Sequence, residues 1–197
     1  MTVSTEAEQT DPLILPYRVM AYNNRWANHR LLTACAALSQ AEFTAPRTGF
    51  FPSLSATLNH ILIIDRFYVD AMEGGKLGPA AWAEPEPCRT LAALKSAQEH
   101  VDQHLIALVE RQDAGGLADI VELQRSTHIQ QEPMYRVLLH LFQHQVHHRG
   151  QAHAMLSGTA VPPPQLDEFF LAEEAPLRAG ELLELGWTEE KVWRGTS

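Results

Sequence analysis

Apolar residues recur with a helical period along four long stretches of this chain, and each stretch is bounded by residues that start or stop helices. The first runs from about Leu13 to Ser39, after the start signal Asp11-Pro12, with a bend expected at Pro16. The second runs from about Ser53, a good cap, to Glu73, where Gly74-Gly75 ends it. From Leu54 to Met72 it is apolar on almost every face, the pattern of a central helix. A linker rich in Gly, Pro and Ala (Gly74 to Arg89) leads to Thr90, which caps a third helix over Leu91 to Gln112. Asp113 to Gly116 break that helix, and Ile120 to Gln130 alternates loosely, as an extended hairpin or an irregular crossover would. A fourth helix lies between Pro133 and Gly158. Beyond it Pro162-Pro163-Pro164 force a stiff connection. Short helices are predicted over Asp167 to Ala172 and Ala175 to Leu185, and Thr188 caps a last turn ending at Trp193. The class is all-α, with one short extended segment before the last long helix.

The fourth helix carries His140, His144, His147, His148 and His153. Imidazole is the commonest metal ligand and is costly to bury without a partner. Side chains at i and i+4 stand one above the other on a helix, so His144 and His148 point the same way. His140 extends the stripe but lies about 12 Å along the axis from His148, too far for one ion to take both ends. The best pair is therefore His144 with His148, then His140 with His144, then His144 with His147. A solvated histidine face is the competing reading, and the apolar neighbours Val137, Leu138, Leu141 and Phe142 weigh against it. His60 lies amid Leu58, Ile61, Leu62 and Ile64 on the second helix, as a satisfied core residue or as a ligand. Joined to the pair, it would supply the third nitrogen of a three-histidine site, the ligand number of catalytic zinc. Asp65 could orient a ligand imidazole or pair with Arg66 or another arginine.

Three segments resemble the DinB-like family of small helical metalloproteins. They are MAYNNRWANHRLL (Met20 to Leu32), LNHILIID (Leu58 to Asp65) and HLFQHQVHHRGQ (His140 to Gln151), and the last is the specific one. The resemblance spans residues 12 to 158 and implies a four-helix bundle. It assigns the metal to His60, His144 and His148, with His147 at a position where a second histidine is common and Arg149-Gly150-Gln151 completing the motif. It also implies a thiol-dependent S-transferase or cis–trans isomerase, in which the metal binds the sulfur of a low-molecular-weight thiol. An arginine, Tyr17, Tyr22 or Asn28 would hold the carboxylates of that cofactor. The expected metal is zinc, with nickel as the alternative, since three imidazoles accept several divalent ions.

At 197 residues the chain fits one domain, with a core over 12–158, a C-terminal extension over 159–197 and a polar N-terminal segment, 1–11, expected to be disordered. Phe169, Phe170, Leu171, Leu182, Leu183, Leu185, Trp187 and Trp193 make that extension apolar enough to need burial, over the metal site, in a dimer interface or on the helices. The formal charge of −9, without a basic cluster, argues against nucleic acid and anionic membranes as partners. Arg18, Arg25, Arg30, Arg66 and Arg149 sit on the long helices, where ion pairing is their ordinary role. Cys35 and Cys88 read as reduced cytoplasmic thiols, and neither secretion nor a membrane span is expected, since no basic-apolar leader pattern or run of about 18 apolar residues is seen. Gln145 stands where a zinc protease would carry its glutamate base, which disfavours that mechanism. A non-catalytic metal-binding stress or structural protein, acting as a homodimer, is the rival to the enzyme. Its site would be closed by a fourth ligand, His147, Asp65 or His153. Metal-activated hydrolysis with Asp65 as base ranks third.

Overall fold

The computed structural model describes residues 11–194. The segment expected to be disordered lies, apart from Asp11, outside the described residues. Helix α1 (Leu15–Cys35) starts with Pro16 in its first turn, so the proline begins the helix instead of bending it. It stops short of Ser39 because that serine opens a separate helix, α2 (Gln40–Thr44), through a reciprocal capping box with Glu42. Helix α3 (Leu54–Met72) is capped by Ser53, whose hydroxyl accepts from the Ala56 N–H at 3.0 Å. Past its end Gly74 takes a left-handed φ of 81°, which turns the chain. Thr90 caps α4 (Leu91–Glu110) in the same way as Ser53.

Strands β1 (Ile120–Gln124) and β2 (Ile129–Pro133) form an antiparallel hairpin, with Ile120 opposite Pro133 and Gln124 opposite Ile129. Val121 and Leu123 of β1 turn inward, which accounts for the loose alternation in the sequence. Helix α5 (Met134–Ser157) comes directly after β2 and ends at Gly158. Two short helices, α6 (Ala175–Glu184) and α7 (Glu189–Arg194), close the described chain, α7 opening on the Thr188 hydroxyl. The helix expected over 167–172 does not form. There Arg178 takes the Leu171 carbonyl and Arg30 the Glu168 carboxylate, tertiary contacts that replace helical ones.

The long helices pack in pairs: α1 lies against α4 and α5, and α3 against the same two. Trp26, Leu31, Leu62, Leu94, Leu105, Leu138 and Leu156 fill the space between them. The C-terminal extension packs on α1, with Phe169 against Trp26 (ring centroids 5.2 Å apart) and Trp187 against Tyr22 (4.7 Å). Arg18, paired with Glu110, also takes the Val192 carbonyl, and Arg30 pairs with Glu168 and Glu181. Two of the arginines thus hold the extension down. Among the described residues no helix is long and apolar enough to cross a membrane.

Candidate metal centre

Helices α3 and α5 pack side by side, and their contact face carries His60 from one and His144 and His148 from the other. The Nε2 atoms of His60 and His144 are 3.0 Å apart. One ligand nitrogen from each of the three histidines lies within 4.8 Å of the others. A tetrahedral ion with metal–nitrogen bonds of about 2.0–2.1 Å holds its nitrogens about 3.3 Å apart, so small side-chain rotations suffice to fit one.

The electrostatics keep these rings neutral. Burial, then the neighbouring His148, lowers His60 to about 4; burial, then the surrounding histidines, lowers His144 to about 3. His148 is lowered as well, chiefly by burial. Neutral imidazoles have a lone pair to give. For His148 the hydrogen bonding settles which nitrogen that is. Its Nδ1 lies 2.8 Å from Oε1 of Gln151, which can only accept, so Nδ1 carries the proton and Nε2 is left as the donor to metal. The Gln151 amide in turn donates to Nε2 of His147 at 3.1 Å. Nδ1 of His144 is buried without a partner. Two facing Nε2 atoms fit an ion, which takes both lone pairs, whereas a histidine–histidine hydrogen bond occupies only one.

Behind the histidines lies a wholly buried polar network that fixes the rotation of α5. Arg149, next to His148, donates to Asn24, to Asn28 (3.2 Å) and to Gln145 (3.1 Å). Asp102 accepts from Asn24, Asn28 and Gln98 at 3.0–3.1 Å. Asp65 accepts from Gln98 at 2.7 Å and from Gln145. Burial, then repulsion by Asp102, pushes Asp65 up to about 8, and burial pushes Asp102 up to about 6. Burial also lowers Arg149, to about 10. With a proton retained on Asp65 near neutral pH, one carboxylate balances one guanidinium. Gln145 and Arg149 thereby hold His144 and His148, the histidines beside them.

Several expected roles move elsewhere. Asp65 neither orients a ligand imidazole nor pairs with Arg66; it is spent on the two glutamines. His153 faces the Pro164 carbonyl at 3.0 Å, and His140 is exposed with its ring 6.4 Å from that of His144. Tyr22 is buried against Glu110 and Arg18, and Asn28 is committed to Asp102 and Arg149. Neither can hold the carboxylates of a cofactor, and Tyr17 packs against the core. The extension does not cover the histidines. Phe51 does, its ring 4.3 Å from His60 and 5.6 Å from His148, beside the exposed Phe50. No periodicity marks these phenylalanines; their position just before the Ser53 cap was the available signal.

A mostly helical protein with three clustered imidazoles is the class that this geometry defines. The DinB family matches residues 2–184, and the chain belongs to it. Among solved structures it is similar to a DinB-like protein from Bacillus cereus, with a TM-score of 0.56 and 14% identity over 71% of this chain and 90% of that one. No curated protein matches it.

Proposed function

We propose that this protein binds one divalent metal ion, zinc or else nickel, through His60, His144 and His148, and uses it in thiol-dependent S-transfer or isomerisation. The long helices are read as a four-helix bundle that supports this centre. The observation that carries the reading is the ligand count. Three neutral imidazoles converge, and among the described residues no fourth histidine, cysteine or carboxylate joins them. The candidates for closing the site, His147, Asp65 and His153, are bonded to Gln151, to Gln98 and Gln145, and to Pro164. Three protein ligands with a free position suit catalysis more than structure. A bound divalent ion would act as a Lewis acid and favour the thiolate of a small thiol. His148, aligned by Gln151, and the Phe51 ring above it would orient the sulfur and limit water.

The non-catalytic reading shares the ligands and lacks the closing fourth group. The homodimer belongs to the proposal through Leu139 and Val146, which stand 54% and 50% exposed two turns apart on α5. Hydrolysis ranks last because Asp65, its carboxylate base, lies outside the cluster. The test is conjugation of a small thiol with an electrophilic acceptor by zinc-loaded protein. A rate lost in His60→Ala supports the enzyme. An equal rate in that variant contradicts it.

A further inference from the structure

One turn along α5 from His144, a cleft of about 210 Å³ opens between the β-hairpin, α3 and α5. We infer that this cleft is a subsite for a carboxylate group on the small molecule that occupies the histidine centre; the inference rests on the metal-centre reading above. The residues that matter are Tyr68, Arg125, Gln130, Glu132, Arg136 and His140.

Arg125 carries the argument. It is half-buried, stacked over the Phe67 ring at 5.1 Å, and its Nε donates to Gln130 at 3.1 Å. Those two contacts fix the plane of the guanidinium, yet among the described residues no carboxylate pairs with it. A half-buried guanidinium without a counter-charge is costly, and its fixed fork matches the two oxygens of a carboxylate. The acidic group nearest at hand is already satisfied. Glu132 accepts from Arg136 at 3.0 Å and from Gln130 at 2.9 Å, so the cleft keeps an excess positive charge in a protein of net charge −9.

The cleft lies one helical turn from the metal centre. The His140 ring lies 5.3 Å from that of Tyr68 and 6.4 Å from that of His144, which makes it the step between the two. Tyr68 is buried, and its hydroxyl has no partner among the described residues, so it can donate to the same ligand. Tyr22 and Asn28 of α1, two of the expected holders of carboxylates, are committed elsewhere, whereas Arg125 faces no carboxylate. A ligand bound at both ends would lie along α5 with its reactive atom at the histidines and its acid group at Arg125.

The test is calorimetric titration of the full chain, supplied with one equivalent of zinc, with three probes: 2-mercaptoethanol, succinate and mercaptosuccinate. Mercaptosuccinate is expected to bind at least ten-fold more tightly than 2-mercaptoethanol, or succinate to bind protein already saturated with 2-mercaptoethanol. The first result puts the acid on the thiol, the second on its co-substrate. In either case Arg125→Gln should remove at least five-fold of the gain and leave 2-mercaptoethanol unchanged. Arg136→Gln, at an exposed surface position, gives a smaller loss and serves if Arg125→Gln does not fold. Acid binding that is equal in wild type and variants overturns the subsite. Arg125-dependent succinate binding without any zinc-dependent gain for a thiol contradicts the metal-centre reading and leaves the carboxylate site standing.

Discussion

A histidine serves a metal only while its ring is neutral, and partial burial secures that for His60 and His144 well below the pH at which a free imidazole charges. The same burial has the opposite consequence for Asp65, which keeps its proton to about pH 8. The folded state binds this proton more tightly than the unfolded chain, whose aspartate titrates near 3.8. Its contribution to stability is therefore full below that lower value and is lost as pH rises through about 8. Between about pH 7.5 and 8 the lowered histidines are neutral in both states and Asp102 is ionised in both, which leaves Asp65 as the group to watch. Metal-free protein should lose melting temperature across that range, with a slope of up to about 1.4 kcal/mol per pH unit. Asp65→Asn, which mimics the protonated acid, should flatten the slope; a slope unchanged in the variant would place the titration elsewhere. The His144/His148 pair was legible in the sequence, because i, i+4 spacing on one helix fixes direction. The role of Asp65 was not, since Gln98 and Gln145 come from two other helices.

At the scale of elements, starts and stops carried most of the information. Ser53, Thr90, Pro133 and Gly158 bound their helices where the sequence placed them. Ser53 also sets the first turn of α3, the helix that presents His60. Ser53→Ala should cost about 1 kcal/mol and lower the melting temperature by about 2–4 °C. An unchanged melt would mean that packing alone holds that end. Local signals mislead where another cap or a tertiary contact takes over. Periodicity alone carries α1 on to Ser39, but that serine caps the separate helix α2, and the 167–172 segment is held by Arg178 on the Leu171 carbonyl and Arg30 on the Glu168 carboxylate. The hairpin was half-visible, through the buried Val121 and Leu123, and its arginine was not. A cation's value depends on whether an acid lies opposite, and that is set by the fold.

The molecule as a whole joins His60 to a histidine 84 positions later, by packing α3 against α5 and locking α5 through Arg149. The His144/His148 pair was visible as a local spacing and His60 as a histidine on an apolar helix with two roles open, and the family resemblance joined them, because no local rule links residues so far apart. Phe51 over the centre and the extension on α1 emerged only from packing. The central claim is that this long-range assembly holds an ion, and the direct test is metal content by elemental mass spectrometry on tag-free protein, wild type beside His144→Ala. The account predicts about one equivalent of a divalent metal in wild type and its loss in the variant. Metal-free protein in both cases, with no rise in melting temperature on adding zinc or nickel to either, would contradict it.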